Sequence, residues 1–154
     1  MSTSNFAASE DTAPYAGDIG VTQTFEVLRD QQASVLVDVR TEAEWGYVGV
    51  PDLSALGKHV LFVQWKLFPS GELNPAFVEQ LSDALMQKGL DQSAPIFFLC
   101  RSGVRSKAAA QALTAHGFQQ CFNVAHGFEG QLDAESHRGS VSGWKAEGLP
   151  WLQT

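Results

Sequence analysis

Ile96-Phe97-Phe98-Leu99-Cys100 runs without a break into Arg101-Ser102-Gly103-Val104-Arg105-Ser106, and an alanine-rich stretch from Lys107 to Ala115 follows at once. The first five residues have the composition of a buried parallel strand, and the alanines favour a helix that Gly117 ends. A cysteine therefore sits where a strand gives way to a helix. Amides at such a junction lack intrahelical acceptors, and Gly103 can take a positive φ that lets the loop curl its N–H groups toward one point. A thiolate there gains from the helix N-terminus and from two nearby guanidinium groups. Cys100 is thus the expected nucleophile. Arg105 ends the loop with a planar fork of donors suited to an oxyanion; Arg101 has a supporting role, with an outward orientation left open, while Ser102 and Ser106 add hydroxyls. Val104 completes the cradle through its backbone.

Outward from this unit the same alternation continues. Ser34 to Arg40 (SVLVDVR) reads as a second buried strand, with Asp38 and Arg40 at its carboxyl end, the edge where open α/β sheets place their crevices. Asp38 is expected to brace this end by accepting from loop amides or an arginine. Arg40 has two open roles, a salt bridge to Glu44 or a place at the pocket rim. Thr22 to Arg29 has helical spacing, Thr41 to Tyr47 carries a capping box with Glu44 at its third position, and a Gly-Val-Pro-Asp turn follows. Lys58 to Trp65 reads as strand. Asn74 and Pro75 open a helix with the stripe Phe77, Val78, Leu81 and Leu85, and Phe118 to Val124 makes the last core strand. Cys121 lies inside that strand and reads as core. The fold class is α/β: a small open parallel sheet with helices on both faces.

The chain of 154 residues has room for one domain, divided here into an N-terminal arm over 1–18 and a domain over 19–154. Seventeen acidic against ten basic residues give a net charge of −7, which disfavours nucleic acid and anionic membrane surfaces as partners. Two cysteines make neither a disulfide framework nor a metal cluster, and a reactive thiol suits a reducing compartment, the cytoplasm. Tryptophans 45, 65 and 144 read first as core and second as a pocket entrance.

The chain resembles the rhodanese family of sulfurtransferases from about Thr22 to Trp151. The resemblance rests on LVDVRTEAEW at Leu36 to Trp45, FLCRSGVRS at Phe98 to Ser106, VAHGFEG at Val124 to Gly130, and GWKAEGLPW at Gly143 to Trp151. Two features depart from the family pattern: His126 stands where the first of two glycines is usual, and Val48 to Asp52 lacks a common histidine. The polar segment Asp133 to Val141 reads as an inserted loop, with His137 and Arg138 as a source of positive charge. The resemblance implies a persulfide on Cys100, formed from thiosulfate or a persulfide donor and discharged to cyanide, a small thiol or a protein thiol, with no metal and no cofactor. Alternatives of the same fold are a cysteine-dependent phosphatase or arsenate reductase and a non-catalytic protein-binding module. Those phosphatases have a longer loop between cysteine and arginine, whereas only Arg101 to Val104 intervene here.

Overall fold

The computed structural model describes residues 13–153. In chain order the elements are β1 (Gly17–Ile19), α1 (Val21–Asp30), β2 (Val35–Asp38), α2 (Glu42–Tyr47), β3 (Val50–Pro51), β4 (Leu61–Phe62), α3 (Phe77–Gln87), β5 (Pro95–Leu99), α4 (Val104–Ala115), β6 (Gln120–Val124) and β7 (Trp151–Leu152). Five strands form one parallel sheet in the order β1-β6-β5-β2-β4, and β3 and β7 form a separate antiparallel ribbon. The expected α/β class, with helices on both faces, is what the chain adopts. No helix among the described residues is long and apolar enough to cross a membrane.

Alternation along the buried strands divides the core. Val35, Val37, Ile96, Phe98, Cys100 and Cys121 face α3 and α4, whose Phe77, Leu81, Leu85, Ala109 and Leu113 cover them. Leu36, Phe97, Leu99 and Val124 face the other way, onto α1 and the loops that carry Phe128 and Trp144. This parity places Cys100 and Asp38 on opposite faces, although β2 and β5 are neighbours. Trp144 is wholly buried and its indole N–H donates to the Pro150 carbonyl, so this tryptophan is core. Trp45 and Trp65 pack edge-on against Phe62 and Phe77.

Several local expectations change in the folded chain. The expected arm over 1–18 reaches into β1, where Gly17 and Asp18 pair with Phe122 and Asn123; residues 1–12 lie outside the described residues. Residues 49–52 do not form an isolated turn, because Val50 and Pro51 pair with Leu152 and Trp151 about a hundred positions away. Such pairing has no local signature. The Lys58 to Trp65 strand shrinks to Leu61–Phe62, an edge that touches the sheet only through β2, although Val63 and Trp65 still donate to the Asp38 and Val39 carbonyls. Asn74 caps a turn ahead of α3: its side chain accepts from the Ala76 amide. Helix α4 begins at Val104, three residues before the alanine run, because Gly103 at φ +117° turns the chain directly into it. Arg105 and Ser106 therefore lie in the first helical turn. The 133–141 segment is folded around Asp133, which accepts from the Glu135 and His137 amides and the Ser140 hydroxyl, while Arg138 donates to the Gly130 carbonyl.

Two contacts lock the active-loop end of the sheet. In the first, the α2 capping box forms as the sequence predicts, and its Glu44 also takes two hydrogen bonds from Arg105, at 2.6 and 2.9 Å, clamping α2 onto α4. Burial pushes the Glu44 carboxyl up, but the Arg105 guanidinium and the Thr41 amide and hydroxyl outweigh it, leaving the carboxyl at about 2 against an ordinary 4.5. In the second, Gly127 at φ +61° lies so close to the start of the active loop that a Cβ would come within 2.6 Å of the Arg101 carbonyl oxygen.

A carboxyl depressed by folding stabilises fully above its unfolded value and loses that contribution as pH falls toward its folded value. Glu44→Gln is expected to cost on the order of 2 kcal/mol at pH 7, after allowing for partial solvent screening, and the gap to the native protein should close between about pH 4.5 and 2. Urea unfolding of both proteins across that range checks this, and a gap constant with pH would contradict it. Gly127→Ala should cost on the order of 2 kcal/mol in thermal unfolding, because both the backbone conformation and the space are denied to a methyl group.

Candidate active site

Cys100 follows β5 directly and is 1% exposed. Its carbonyl accepts from the Phe128 amide at 2.8 Å, and the Arg101 carbonyl accepts from the Glu129 and Gly130 amides at 3.0 and 3.1 Å. With these carbonyls turned away to the 127–130 turn, the other side of the loop is left to its N–H groups. The Gly103 amide donates to Cys100 Sγ at 3.1 Å, and Ser106 Oγ also lies 3.1 Å from the sulfur. Ser106 is fully buried and contacts Asn123 Oδ1 at 2.5 Å. A sulfur carrying negative charge would thus find a backbone donor in place and a hydroxyl within reach.

The structure gathers Cys100, Gly103, Arg105 and Ser106 and leaves Asp38 and Arg40 paired on the other face of the sheet. Arg101 is exposed, as is Val104 at 78%, and Ser102 is half-buried. Arg105 has its guanidinium on Glu44. The Glu44 hydrogen bonds hold its charge most strongly, burial opposes them, and the negative charges of Glu44, Cys100 and Asp38 add to the effect.

Arg40 takes neither of its two expected roles. It is 0% exposed, donates to Asp38 through Nε and Nη2 at 2.7–3.2 Å, and reaches the Gly49 carbonyl at 2.8 Å. The guanidinium carbon lies 4.3 Å from the centre of the Phe128 ring, and Nη1 has no hydrogen-bond partner. Strand parity explains the difference: Asp38 points to the Leu36 face, away from the sulfur, and Arg40 folds back over it. Asp38 itself pairs with an arginine, as its position predicts, and the pair joins β2 to the β3–β7 ribbon. Removing either partner would strand a buried charge, a loss of about 3–5 kcal/mol.

From the sequence, Glu44 is a helix cap and a candidate partner of Arg40; its actual partner is Arg105, and the roles of Asn123 and Asp18 go unforeseen. Asn123 Nδ2 donates to Asp18 Oδ1 at 3.0 Å, and the Tyr15 hydroxyl donates to the same oxygen at 2.8 Å. The signal was the β1–β6 register, which sets Asp18 opposite Asn123. Cys121 is core, as its surroundings predict: burial pushes its thiol up to about 11, against a smaller opposing effect of Thr114. His126, where the family pattern has glycine, keeps a glycine-like backbone at φ +68° and is exposed. Among the described residues no group of three or more His, Cys, Asp or Glu side chains gathers as a metal site would require.

The chain is similar to several known proteins. The STR4 middle domain family matches residues 17–154. An uncharacterized protein of Rickettsia conorii is 38% identical over 130 residues, covering 84% of this chain and 92% of its own. The chloroplastic rhodanese-like domain-containing protein 4 of Arabidopsis thaliana is 25% identical over 118 residues, 77% of this chain and 22% of that one. The crystal structure of Rv0390 from M. tuberculosis has 49% identity and a TM-score of 0.79, covering 92% of this chain and all of that one. The polysulfide-sulfur transferase homodimer of Wolinella succinogenes shares the fold, with 21% identity, a TM-score of 0.57, and coverage of 97% and 88%. From β1 through the loop around Cys100 to the closing ribbon, this chain belongs to the STR4 middle domain family.

Proposed function

We propose that the protein is a sulfurtransferase that carries sulfane sulfur as a persulfide on Cys100. The observation that carries this reading is the cysteine sulfur at the end of a central strand, with the Gly103 amide and the Ser106 hydroxyl each 3.1 Å away and only Arg101 to Val104 before Arg105. In the first half-reaction the thiolate attacks the outer sulfur of the donor. The donor S–S bond breaks, and its electron pair leaves with sulfite if the donor is thiosulfate, or with a thiolate if it is a persulfide. In the second, cyanide, a small thiol or a protein thiol attacks the outer persulfide sulfur and the Cys100 thiolate is the leaving group. Gly103 and Ser106 stabilise the thiolate at both ends of the cycle. A thiol that must return to the reduced state suits a reducing compartment such as the cytoplasm.

The Glu44–Arg105 ion pair favours a persulfide over thiosulfate as the donor. Thiosulfate is a dianion, and the arginine that ends the loop has its charge balanced by a carboxylate. A persulfide brings less charge to the same place and asks less of Arg105. The tight loop also supports sulfur transfer over the phosphatase alternative, because a tetrahedral phosphate needs a wider ring of donors.

Intact mass of the purified protein tests the central step. Exposure to a persulfide donor or thiosulfate should add one sulfur atom, removed again by cyanide or a thiol, and Cys100→Ser should show neither change while keeping its fold. A sulfur adduct retained in that variant would refute the mechanism. Glu44→Gln, by releasing Arg105, should raise the ratio of thiosulfate to persulfide kcat/KM by about tenfold, or about 1.4 kcal/mol; an unchanged ratio would remove Glu44 from donor selection.

A further inference from the structure

The hydrogen bonds behind the sulfur form a line in which only the last proton has a choice of direction: Tyr15, Asp18, Asn123, Ser106, Cys100. An ionised carboxylate only accepts, so the Asn123 atom facing Asp18 must be its NH₂ group. The Asn123 carbonyl oxygen then faces Ser106, and it too only accepts. Ser106 has a single hydroxyl proton and two acceptors within reach, Asn123 Oδ1 and Cys100 Sγ. If the proton goes to Asn123, the Ser106 lone pairs face the sulfur, an arrangement satisfied when Cys100 is a thiol donating S–H. If the proton goes to the sulfur, Cys100 is served as a thiolate and the Asn123 oxygen, in a 5% exposed side chain, loses its partner.

We propose that Asn123, oriented by Asp18, competes with the Cys100 sulfur for the one Ser106 proton and thereby sets the pH at which Cys100 becomes nucleophilic. Asn123 and Asp18 are positioning residues acting through Ser106. Ionisation of Cys100 sends its proton to solvent and requires only that the Ser106 hydroxyl rotate. With no carboxylate at position 18 the Asn123 amide is free to turn over, present its NH₂ to Ser106 Oγ, and leave the hydroxyl proton to the thiolate. The other charged and titratable groups belong to different elements: Arg105 of α4 with Glu44 of α2, Asp38 of β2 on the opposite face of the sheet, Arg101 in the loop, Lys107 of α4 with its ammonium 5.9 Å from the Tyr15 ring, and the exposed His126 after β6, whose amide lies beside Gly103. None of them touches the Asp18–Asn123–Ser106 line by a hydrogen bond among the described residues.

The test is the rate at which iodoacetamide alkylates Cys100 across pH 5 to 10, read by mass on the full chain. It needs no assumption about sulfur transfer, so it fails or succeeds separately from the proposed function. Asp18→Ala should alkylate about tenfold faster than the native protein at the acid end, its profile displaced by about one pH unit. In a Ser106→Ala background the same Asp18→Ala change should have no effect on the profile, since the line then has no hydroxyl to redirect. An Asp18→Ala profile that coincides with the native one would overturn the proposal. A displacement that persists without the Ser106 hydroxyl would overturn it equally, because the effect would then be the loss of a distant negative charge. Asp18 is exposed and Ser106→Ala removes one atom, so circular dichroism should show all three variants folded.

Discussion

Everything at the site depends on where two carbonyl groups point. A chain leaving a strand carries as many acceptors as donors, and a loop lined by both would repel a thiolate as readily as hold it. Here the Cys100 and Arg101 carbonyls are taken by the amides of Phe128, Glu129 and Gly130. The turn that does this is itself held from behind: Trp144 donates to the Gly127 carbonyl, Lys145 to that of Phe128, and Gly139 donates to that of Glu129. The loop-rich tail is therefore the scaffold of the active loop, and Gly127 is the point at which the two backbones come too close for a side chain.

Charge around the site is arranged in pairs. Arg40 and Asp38 neutralise each other inside the core, where an unpaired charge of either kind would be costly. Arg105 and Glu44 do the same at the edge of the loop, each about one-fifth exposed. Two conspicuous arginines thus contribute less positive field than the sequence suggests. Local N–H and O–H groups carry the stabilisation of negative sulfur, in a protein whose overall charge is negative.

The two cysteines show how environment divides one residue type. Both are buried on the same face of the sheet. Cys121 has Phe118 O 4.0 Å away and apolar neighbours, and burial dominates it over a smaller opposing effect of Thr114. Cys100 has a backbone amide and a buried hydroxyl within 3.1 Å, the latter shared with an asparagine that a carboxylate orients. What separates a structural thiol from a candidate nucleophile is the direction of a few hydrogen bonds, since depth is common to both.

Elements whose cause is local can be read directly from the residues that form them. The apolar β-branched and aromatic runs at Val35–Asp38 and Pro95–Leu99, the Thr41–Glu44 capping box, the stripe of α3 and the turn at Gly103 depend on neighbours within a few residues, and each was legible before folding. So was Cys100, because a strand, a glycine-containing polar loop and a helix follow one another without interruption. Tertiary structure decided the rest. Which face Asp38 occupies, which carboxylate Arg105 finds, the pairing of Val50–Pro51 with Trp151–Leu152, and the meeting of Asp18 with Asn123 all depend on register between segments far apart in the chain. Register is set by the summed packing of whole strands, and a shift of one residue would turn every side chain to the other face.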